Sequence, residues 1–504
     1  MSEAIAPLFM IDAYKLAHRE QYLLSGKVTK VVSNFTNRGS RIAGVDKVVH
    51  FGLQAFIQKY LVEAFEFFFA SNIDYTVDAY RKRVSSILGI SEDKVDVSHI
   101  RQLHDLQYIP LEFKAVPEGT RVPLRIPAFT VENTHPDFFW LPNYIESIMS
   151  ASIWQASTSA TIAHRFRSLL DAFAEGTVGD KAYVDFQGHD FSYRGMSSQE
   201  TAQLSGAGHL LSFKGSDSLT VLDFVEKYYK GDNGFVLGSV PATEHSVMSA
   251  GIASVGEFEM FDRLLDHHSS GIVSVVSDTF DLWKVLTEFL PALHDKITAR
   301  EGKLVIRPDS GDPVKILAGE APFTVRQIDK LSLEEMAENP ALYGVVALLY
   351  KVFGGKFNSK GFMELDEHIG TIYGDSITYD RAWAILDALA RAGFASNSVV
   401  FGVGSFTYQY NTRDTFASAM KATYAEIDGR SVNLFKNPVT DDGTKRSATG
   451  RLAVLTDERG QFTLVEKANE EELAASELKT VWKDGKFVQY QSYADVREVL
   501  SKQS

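Results

Sequence analysis

The stretch Leu304-Val305-Ile306-Arg307-Pro308-Asp309-Ser310-Gly311 passes from an apolar run directly into a polar turn. Three further stretches repeat this pattern: 272–276 before Ser277-Asp278-Thr279, 370–373 before Gly374-Asp375-Ser376, and 398–401 before Gly402-Val403-Gly404-Ser405. Short apolar strands that alternate with helices are typical of a parallel sheet or barrel. In such barrels the turns after the strands form the ligand-binding rim, because the helix N-termini there offer free N–H groups to anions. One such turn can be explained by caps and turn formers alone, whereas four together favour a functional site.

The regions on either side of these repeats have a different sequence pattern. Towards the C-terminus, Arg459-Gly460 and Asp484-Gly485 each stand between two apolar runs, which is a signal for antiparallel hairpins. We therefore predict an α/β fold with an irregular α/β barrel at 178–405 and a mixed α+β domain built from the two ends of the chain. That domain would comprise 1–177 and a β-rich segment at 406–504 that returns to it.

The composition excludes several classes of protein. Of 504 residues, 51 are Lys or Arg and 65 are Asp or Glu, so the formal charge is −14 and the surface repels nucleic acid and anionic membranes. The chain has no cysteine, which excludes disulfides, thiolate nucleophiles and Cys-ligated metal sites. It lacks a basic segment before an apolar one at its start, and no apolar stretch reaches the roughly 20 residues that span a bilayer. We expect a cytoplasmic protein without nucleic-acid or membrane partners.

The densest group of chemically capable residues lies at 188–202. His189, Phe191 and Arg194 stand beside a glycine turn, so an aromatic face and an anion donor could serve one ligand. The same segment could equally be a buried loop whose His and Asp satisfy each other. A further histidine, His245, follows an acid, but a zinc-binding helix needs another His one turn later, and we reject a zinc hydrolase.

Ten short motifs are spread over nearly the whole chain: DAYK (12–15), VPEG (116–119), TVENT (130–134), HDFSYRGMSSQE (189–200), FKGSD (213–217), SVPATEHS (239–246), SVVSD (274–278), IRPDSG (306–311), TRD (412–414) and FKNPV (435–439). In this order they resemble the nicotinamide phosphoribosyltransferases of the type II phosphoribosyltransferase family. The resemblance implies the irregular α/β barrel of that family and a homodimer with shared active sites. The implied reaction converts nicotinamide and phosphoribosyl diphosphate into nicotinamide mononucleotide and diphosphate.

The resemblance also implies how nicotinamide is held. Phe191 and Tyr14 of the partner subunit would stack on the two faces of the pyridine ring. Asp217 would accept a hydrogen bond from the carboxamide NH2, whereas nicotinate would present a like charge and no donor. Arg307 would donate to the amide oxygen or to the diphosphate. From local sequence alone, we would interpret Tyr14 as a surface or core aromatic. Asp217 could equally cap a helix, and Arg307 could form a structural ion pair.

For the sugar and the phosphates, the resemblance implies two turns and a set of cations. Gly374-Asp375 and Gly404-Ser405 would hold the 5′-phosphate and the ribose hydroxyls, because glycine permits close backbone approach. The chain departs from the family pattern at Ser192, where glycine is expected, and in a less glycine-rich run at 402–405. The implied cations, some crossing from the second subunit and each by itself an ordinary surface charge, are Arg194, Arg413, Arg38, Lys421, Lys436 and Lys445.

Magnesium and ATP complete the implied chemistry. Asp309 and Asp278 would bind magnesium directly, through water or through the ribose hydroxyls, since hard oxygen ligands suit this ion. His245 would accept a phosphoryl group from ATP, with Glu244 or another acid orienting the imidazole. By itself, His245 could equally be a hydrogen-bonded histidine at the start of a helix.

Three alternative functions stay open at this point. The first keeps the fold and exchanges the base, giving a nicotinate phosphoribosyltransferase. The second is a barrel glycosidase that uses Asp278 and Asp309 as its carboxylate pair, which would leave the cations without a role. The third is a nucleotide-binding homologue without catalytic activity.

Overall fold

The computed structural model describes residues 2–230, 234–321, 323–436, 440 and 447–503. The chain divides into two compact units. Unit 1 comprises Met1–Thr161, Phe224–Gly234 and Asn411–Ser504, and unit 2 comprises Ile162–Asp223 and Phe235–Tyr410. These units begin and end at other residues than the segments predicted from sequence, because unit 2 starts inside the helix Glu146–Thr177 and unit 1 includes an excursion from the middle of the chain.

Unit 2 is built on a six-stranded sheet that curls into a half-barrel, and all five strand pairings in it are parallel. The strand order across this sheet is Gly215–Ser216, Gly188–Asp190, Val399–Val403, Ile369–Tyr373, Glu301–Arg307 and Ser270–Val276. A separate antiparallel pair joins Gly355–Phe357 to Met363–Leu365. The parallel sheet confirms the predicted α/β class and places the end of every strand at one edge.

One short segment pairs with both edge strands of the curled sheet. A parallel bridge joins Gly215 to Gly238, and a second parallel bridge joins Ala242 to Ser274. The chain between Gly238 and Ala242 therefore covers backbone groups at both edges, which would otherwise be unpaired. The helix His245–Val255 follows this segment, and its first residue, His245, lies near Asp278 and Asp309 at the rim.

The helix Tyr379–Ala392 of the barrel unit begins and ends where its capping residues predict. Thr378 caps the helix Tyr379–Ala392 by accepting a hydrogen bond from the Arg381 backbone N–H, and Gly393 follows it with a φ of 91°. Its buried residues recur at helical spacing, as expected of a face that packs on the sheet.

The longer α-helices of the chain span Ile73–Leu88, Ser98–Leu106, Glu146–Thr177, Gln199–His209, Thr220–Tyr228, His245–Val255, Glu257–His267, Gly344–Phe353, Tyr379–Ala392 and Tyr493–Ser501.

Unit 1 is built on a seven-stranded antiparallel sheet, whose order is Arg430–Asn433, Ser418–Ile427, Val28–Asn37, Pro127–Asn133, Leu111–Ala115, Lys479–Lys483 and Lys486–Phe487. Two further strand pairs are Lys47–Val49 with Arg121–Pro123 and Leu452–Thr456 with Phe462–Glu466. Both predicted C-terminal hairpins are present. The C-terminal strands join the same sheet as the N-terminal ones, with Trp482 opposite Phe113.

No helix within the described residues has both the length and the apolar character needed to span a bilayer.

Candidate functional site

The residues that follow the parallel strands of unit 2 gather around one cavity of about 620 Å3, which we call the rim cavity. Because the strands run in one direction, turns that are far apart in the sequence meet at one edge. Nine of the residues predicted from sequence line this cavity: Phe191, Arg194, Asp217, Arg307, Asp309, Gly374, Asp375, Gly404 and Ser405. Tyr193, Ser218, Ser376 and Phe406 complete its lining.

Asp217 is held by two donors on neighbouring elements. The His189 Nε2 atom lies 3.0 Å from Asp217 Oδ1, and the Ser239 hydroxyl donates to the same oxygen at 2.5 Å. Burial alone would raise the pKa of the Asp217 carboxyl, but these hydrogen bonds, with the charges of His189 and Arg307, lower it below its ordinary value. The carboxylate is therefore charged and oriented, and half of its surface stays accessible from the cavity.

Sequence reasoning did not assign roles to His189 and Ser239 in holding Asp217. His189 lies in a strand and Ser239 in the segment that pairs with the sheet edges, so tertiary structure alone brings them together. The available signal was that both residues occur in the motifs at 189–200 and 239–246.

Phe191 lies against glycine backbone. A Cβ atom on Gly402 would lie 2.3 Å from the Phe191 Cδ2 atom, and one on Gly374 would lie 2.7 Å from it. Only glycine at these two positions lets the ring occupy this place. The ring of His189 meets that of Phe191 edge-on at 5.2 Å between centroids. Phe191 therefore has a fixed orientation while it lines the rim cavity, which suits it to stack on a flat heteroaromatic ring.

Three predicted catalytic residues lie close together. The Asp309 backbone N–H donates to Asp278 Oδ2 at 2.8 Å, which joins two turns of the rim. The His245 Nε2 atom lies 4.0 Å from Asp278 Oδ1 and 3.8 Å from Asp309 Oδ2. The acids that face this imidazole are thus Asp278 and Asp309, whereas Glu244, also considered from sequence, bonds the Ser246 hydroxyl.

The same carboxylates have the chemistry of a magnesium site that includes substrate oxygens. Asp278 Oδ1 is buried and has no hydrogen-bond partner, so it is available as an oxygen ligand. Within the described part of the chain, no group of three or more His, Asp or Glu side chains is arranged to hold a metal. Asp278 and Asp309 would therefore need oxygens from a bound diphosphate or water to complete the coordination of Mg2+.

A second cavity, of about 350 Å3, lies in unit 1, and we call it the basic cavity because Arg38, Arg125 and Lys421 line it. Burial lowers the pKa of the Lys421 amine, against an opposing effect of a nearby carboxylate. The positive charges of Arg38, Lys436 and Arg413 lower that pKa further, so four of the predicted phosphate-binding cations lie near one another. Sequence reasoning missed Arg125, which has a φ of 70° and no distinctive motif.

Tyr14 is not among the residues that line either cavity. Tyr14 belongs to unit 1 and has 62% of its surface exposed, with its ring 5.2 Å from that of His18. The proposed stacking of Tyr14 from a partner subunit stays a prediction. Lys445 lies outside the described residues.

Comparison with known proteins agrees with the motifs. The model of the nicotinate phosphoribosyltransferase (NAPRTase) family matches residues 186–486. A curated relative from Acinetobacter baylyi, named nicotinamide phosphoribosyltransferase, is 46% identical over 100% of this chain and 98% of its own length. A relative of the same name from Mycoplasma pneumoniae is 33% identical over 88% of this chain and 95% of its own length.

Solved structures agree on the fold. The crystal structure of nicotinate-nucleotide pyrophosphorylase from Pyrococcus furiosus superposes with a TM-score of 0.58 at 15% identity, covering 100% of this chain and 96% of that one. Human nicotinic acid phosphoribosyltransferase superposes with a TM-score of 0.54 at 14% identity, covering 97% and 93%. From the family match and the full-length relatives together, this chain belongs to the nicotinate phosphoribosyltransferase family.

Proposed function

We propose that the protein is a nicotinamide phosphoribosyltransferase. The observation that carries this proposal is the charged carboxylate of Asp217, oriented by His189 and Ser239 at the rim cavity. A carboxylate can accept a hydrogen bond from a carboxamide NH2, whereas the carboxylate of nicotinate would meet it as a like charge without a donor. The names of the curated relatives support the same base.

In the proposed reaction, the ring nitrogen of nicotinamide forms a bond to C1 of the ribose while the bond from C1 to the diphosphate oxygen breaks. The electron pair of that bond leaves with the diphosphate, so positive charge develops at C1 and on the pyridine. Phe191 would hold the ring by stacking, and Asp217 would set its rotation so that the nitrogen faces C1. Arg307 and Arg194 would neutralise charge on the phosphates.

Magnesium, when bound, would neutralise part of the negative charge on the diphosphate, and Asp278 and Asp309 are the residues that would hold it. The ribose hydroxyls and the 5′-phosphate would lie on the turns Gly374-Asp375 and Gly404-Ser405. Glycine at these turns permits close approach, and backbone N–H groups supply donors.

The direct test is an assay with purified protein, phosphoribosyl diphosphate and magnesium, in which nicotinamide or nicotinate is offered and the mononucleotide product is measured. We expect the amide to be the preferred base. Preference for the acid would instead support the nicotinate enzyme. Hydrolysis of aryl glycosides without phosphoribosyl diphosphate would support the glycosidase, and binding without turnover would support the non-catalytic homologue.

We further propose that ATP assists the reaction through His245. An imidazole nitrogen would bond to the γ-phosphorus of ATP while the bond to the ADP oxygen breaks. The imidazole is nearly half exposed, and the carboxylates of Asp278 and Asp309 lie 4.0 and 3.8 Å from its Nε2 atom, close enough to orient the ring through their charge. His245→Ala should abolish both the stimulation by ATP and acid-labile labelling by γ-labelled ATP. Unchanged stimulation would remove His245 from the mechanism.

A homodimer with shared active sites is the assembly that we propose, since the family resemblance implies it. The cations of the basic cavity would then serve a rim cavity on the other subunit. The test mixes two inactive variants, Asp217→Ala and the double variant Arg38→Ala/Lys421→Ala, under conditions that exchange subunits. One intact site per mixed dimer should restore about a quarter of the wild-type activity. No recovery, despite mixed dimers detected by mass, would contradict shared sites.

A further inference from the structure

The turn Gly374-Asp375-Ser376 contains a residue in an unusual backbone conformation. It follows the strand Ile369–Tyr373 and lines the rim cavity. Ser376 has a φ of 48°, in the left-handed region that residues with a Cβ atom avoid and that glycine adopts freely. A serine stays in this conformation only when surrounding contacts offset its cost.

Arg381 supplies these contacts. Its Nη1 atom donates to the Ser376 carbonyl oxygen at 2.6 Å and also to the Ser376 hydroxyl. The Ser376 hydroxyl in turn lies 3.1 Å from Asp375 Oδ2, to which it donates. One guanidinium thus holds the backbone of the strained residue and, through its side chain, the neighbouring carboxylate.

Arg381 is itself anchored. It lies in the first turn of the helix Tyr379–Ala392, and its backbone N–H donates to the capping hydroxyl of Thr378 at 3.2 Å. The next part of the turn is fixed from another side, because the Thr407 hydroxyl donates to the Ile377 carbonyl at 2.7 Å. The backbone of Arg381 is therefore fixed, so its guanidinium contacts the turn from a rigid position.

We propose that Arg381 is a positioning residue for the substrate that binds at this turn, acting by holding Ser376 in the left-handed conformation. The identity of that substrate as phosphoribosyl diphosphate rests on the proposed function. With Arg381 in place, Asp375 faces the sugar and the backbone of the turn keeps the shape that a phosphate or hydroxyl needs. Without it, the serine relaxes towards negative φ and the turn opens.

The test is a cycle of Arg381→Ala, Ser376→Gly and the double variant. Arg381→Ala should raise the KM for phosphoribosyl diphosphate about tenfold, the order expected for releasing a left-handed serine, and leave the KM for nicotinamide within about twofold. Ser376→Gly alone should raise the KM for phosphoribosyl diphosphate by about threefold, because glycine keeps the left-handed backbone but loses the hydrogen bond to Asp375. The double variant should have the same KM as Ser376→Gly, because glycine adopts the left-handed conformation without the arginine and the hydroxyl contact is already lost.

Arg391→Ala is the matched control, since Arg391 lies near the end of the same helix and pairs with Asp387 at 2.5 Å. It should leave both KM values unchanged. The inference would be overturned if Arg381→Ala raised both KM values equally. It would also be overturned if Ser376→Gly did not rescue Arg381→Ala, an outcome that would indicate direct contact between Arg381 and the substrate. Thermal protection by phosphoribosyl diphosphate should follow the same order of variants. It keeps the inference testable even if nicotinamide proves to be the wrong base.

Discussion

The rim cavity and the basic cavity differ in both charge and construction. The rim cavity combines carboxylates, glycines, three aromatic rings and two arginines, in or near turns that follow parallel strands. In the basic cavity, Lys421 belongs to an antiparallel strand, Arg38 directly follows one and Arg125 lies in the turn before another. Asn34 stands opposite Lys421 in the sheet, although the two are 387 residues apart in sequence. In a chain with a net charge of −14, the basic cavity is lined by three cations and one acid, whereas the rim cavity is lined by two cations and three acids. Under the proposed function, the basic cavity contributes further cations for the phosphates, while the rim holds the base, the sugar and the 5′-phosphate.

The strongest challenge to this division is to remove charge from the basic cavity. The double variant Arg38→Ala/Lys421→Ala should lower kcat/KM for phosphoribosyl diphosphate on the order of a thousandfold, since each charge-assisted hydrogen bond contributes about 1.5–3 kcal/mol. Steady-state kinetics with both substrates measure this. Lys82→Ala removes an exposed lysine of the same unit and should have no effect. A loss below about tenfold would mean that the basic cavity is not where phosphates bind.

At the rim, Asp217→Asn should remove the discrimination between the two bases. The ratio of kcat/KM for nicotinamide over nicotinate should fall by about a hundredfold, because the amide loses its charged acceptor and the acid no longer meets a like charge. Competition between the two bases measures the ratio directly. Asp223→Asn changes an exposed acid of the same unit and serves as the control. An unchanged ratio would place base selection elsewhere.

Displacing the Phe191 ring should have a smaller effect on activity. Gly402→Ala puts a methyl group 2.3 Å from the Phe191 ring, so the ring must move from its place in the rim cavity. We expect the KM for nicotinamide to rise about tenfold with a smaller change in kcat, as for loss of one stacking contact. Gly176→Ala meets nothing within 4 Å and should be silent. If Gly402→Ala matched this control, Phe191 would not contact the base.

The smallest expected difference between the two units is in how much stability each loses as the pH falls. Burial lowers the pKa of His50 and of His99 in unit 1 to about 3, and that of His209 in unit 2 to about 4. These histidines are neutral in the folded protein but gain a proton below pH 6.5 once unfolded, so stability falls as pH decreases from there towards the folded pKa values.

Between pH 7 and pH 6, each such histidine should shift the unfolding equilibrium about threefold towards the unfolded state. Hydrogen exchange at the two pH values should show more acid-induced opening in unit 1 than in unit 2. His50→Gln should remove one such threefold factor from the pH dependence of the unfolding equilibrium of unit 1, and should leave that of unit 2 unchanged. The same dependence in wild type and variant would show that His50 does not remain neutral when folded.

Much of the rim could be predicted because its residues follow directly after apolar strands. Asp278, Asp309 and Asp375 each stand two or three residues beyond a strand that the sequence pattern indicates. Parallel pairing then requires that such positions meet at one edge. The partners of these residues could not be predicted, since the hydrogen bonds of Asp217 to His189 and Ser239 depend on which strands are neighbours and on their register.

By itself, the sequence determined the class of fold, the family and the positions at which we propose the chemistry, because strand ends, turns and motifs are local features of the chain. Only the tertiary structure decided what surrounds each of these positions. It placed Phe191 on two glycines, set Arg125 beside Lys421, and clamped Ser376 through Arg381. The physical reason is that packing and hydrogen bonding join residues across different elements, and their distances follow from strand order and register rather than from spacing along the chain.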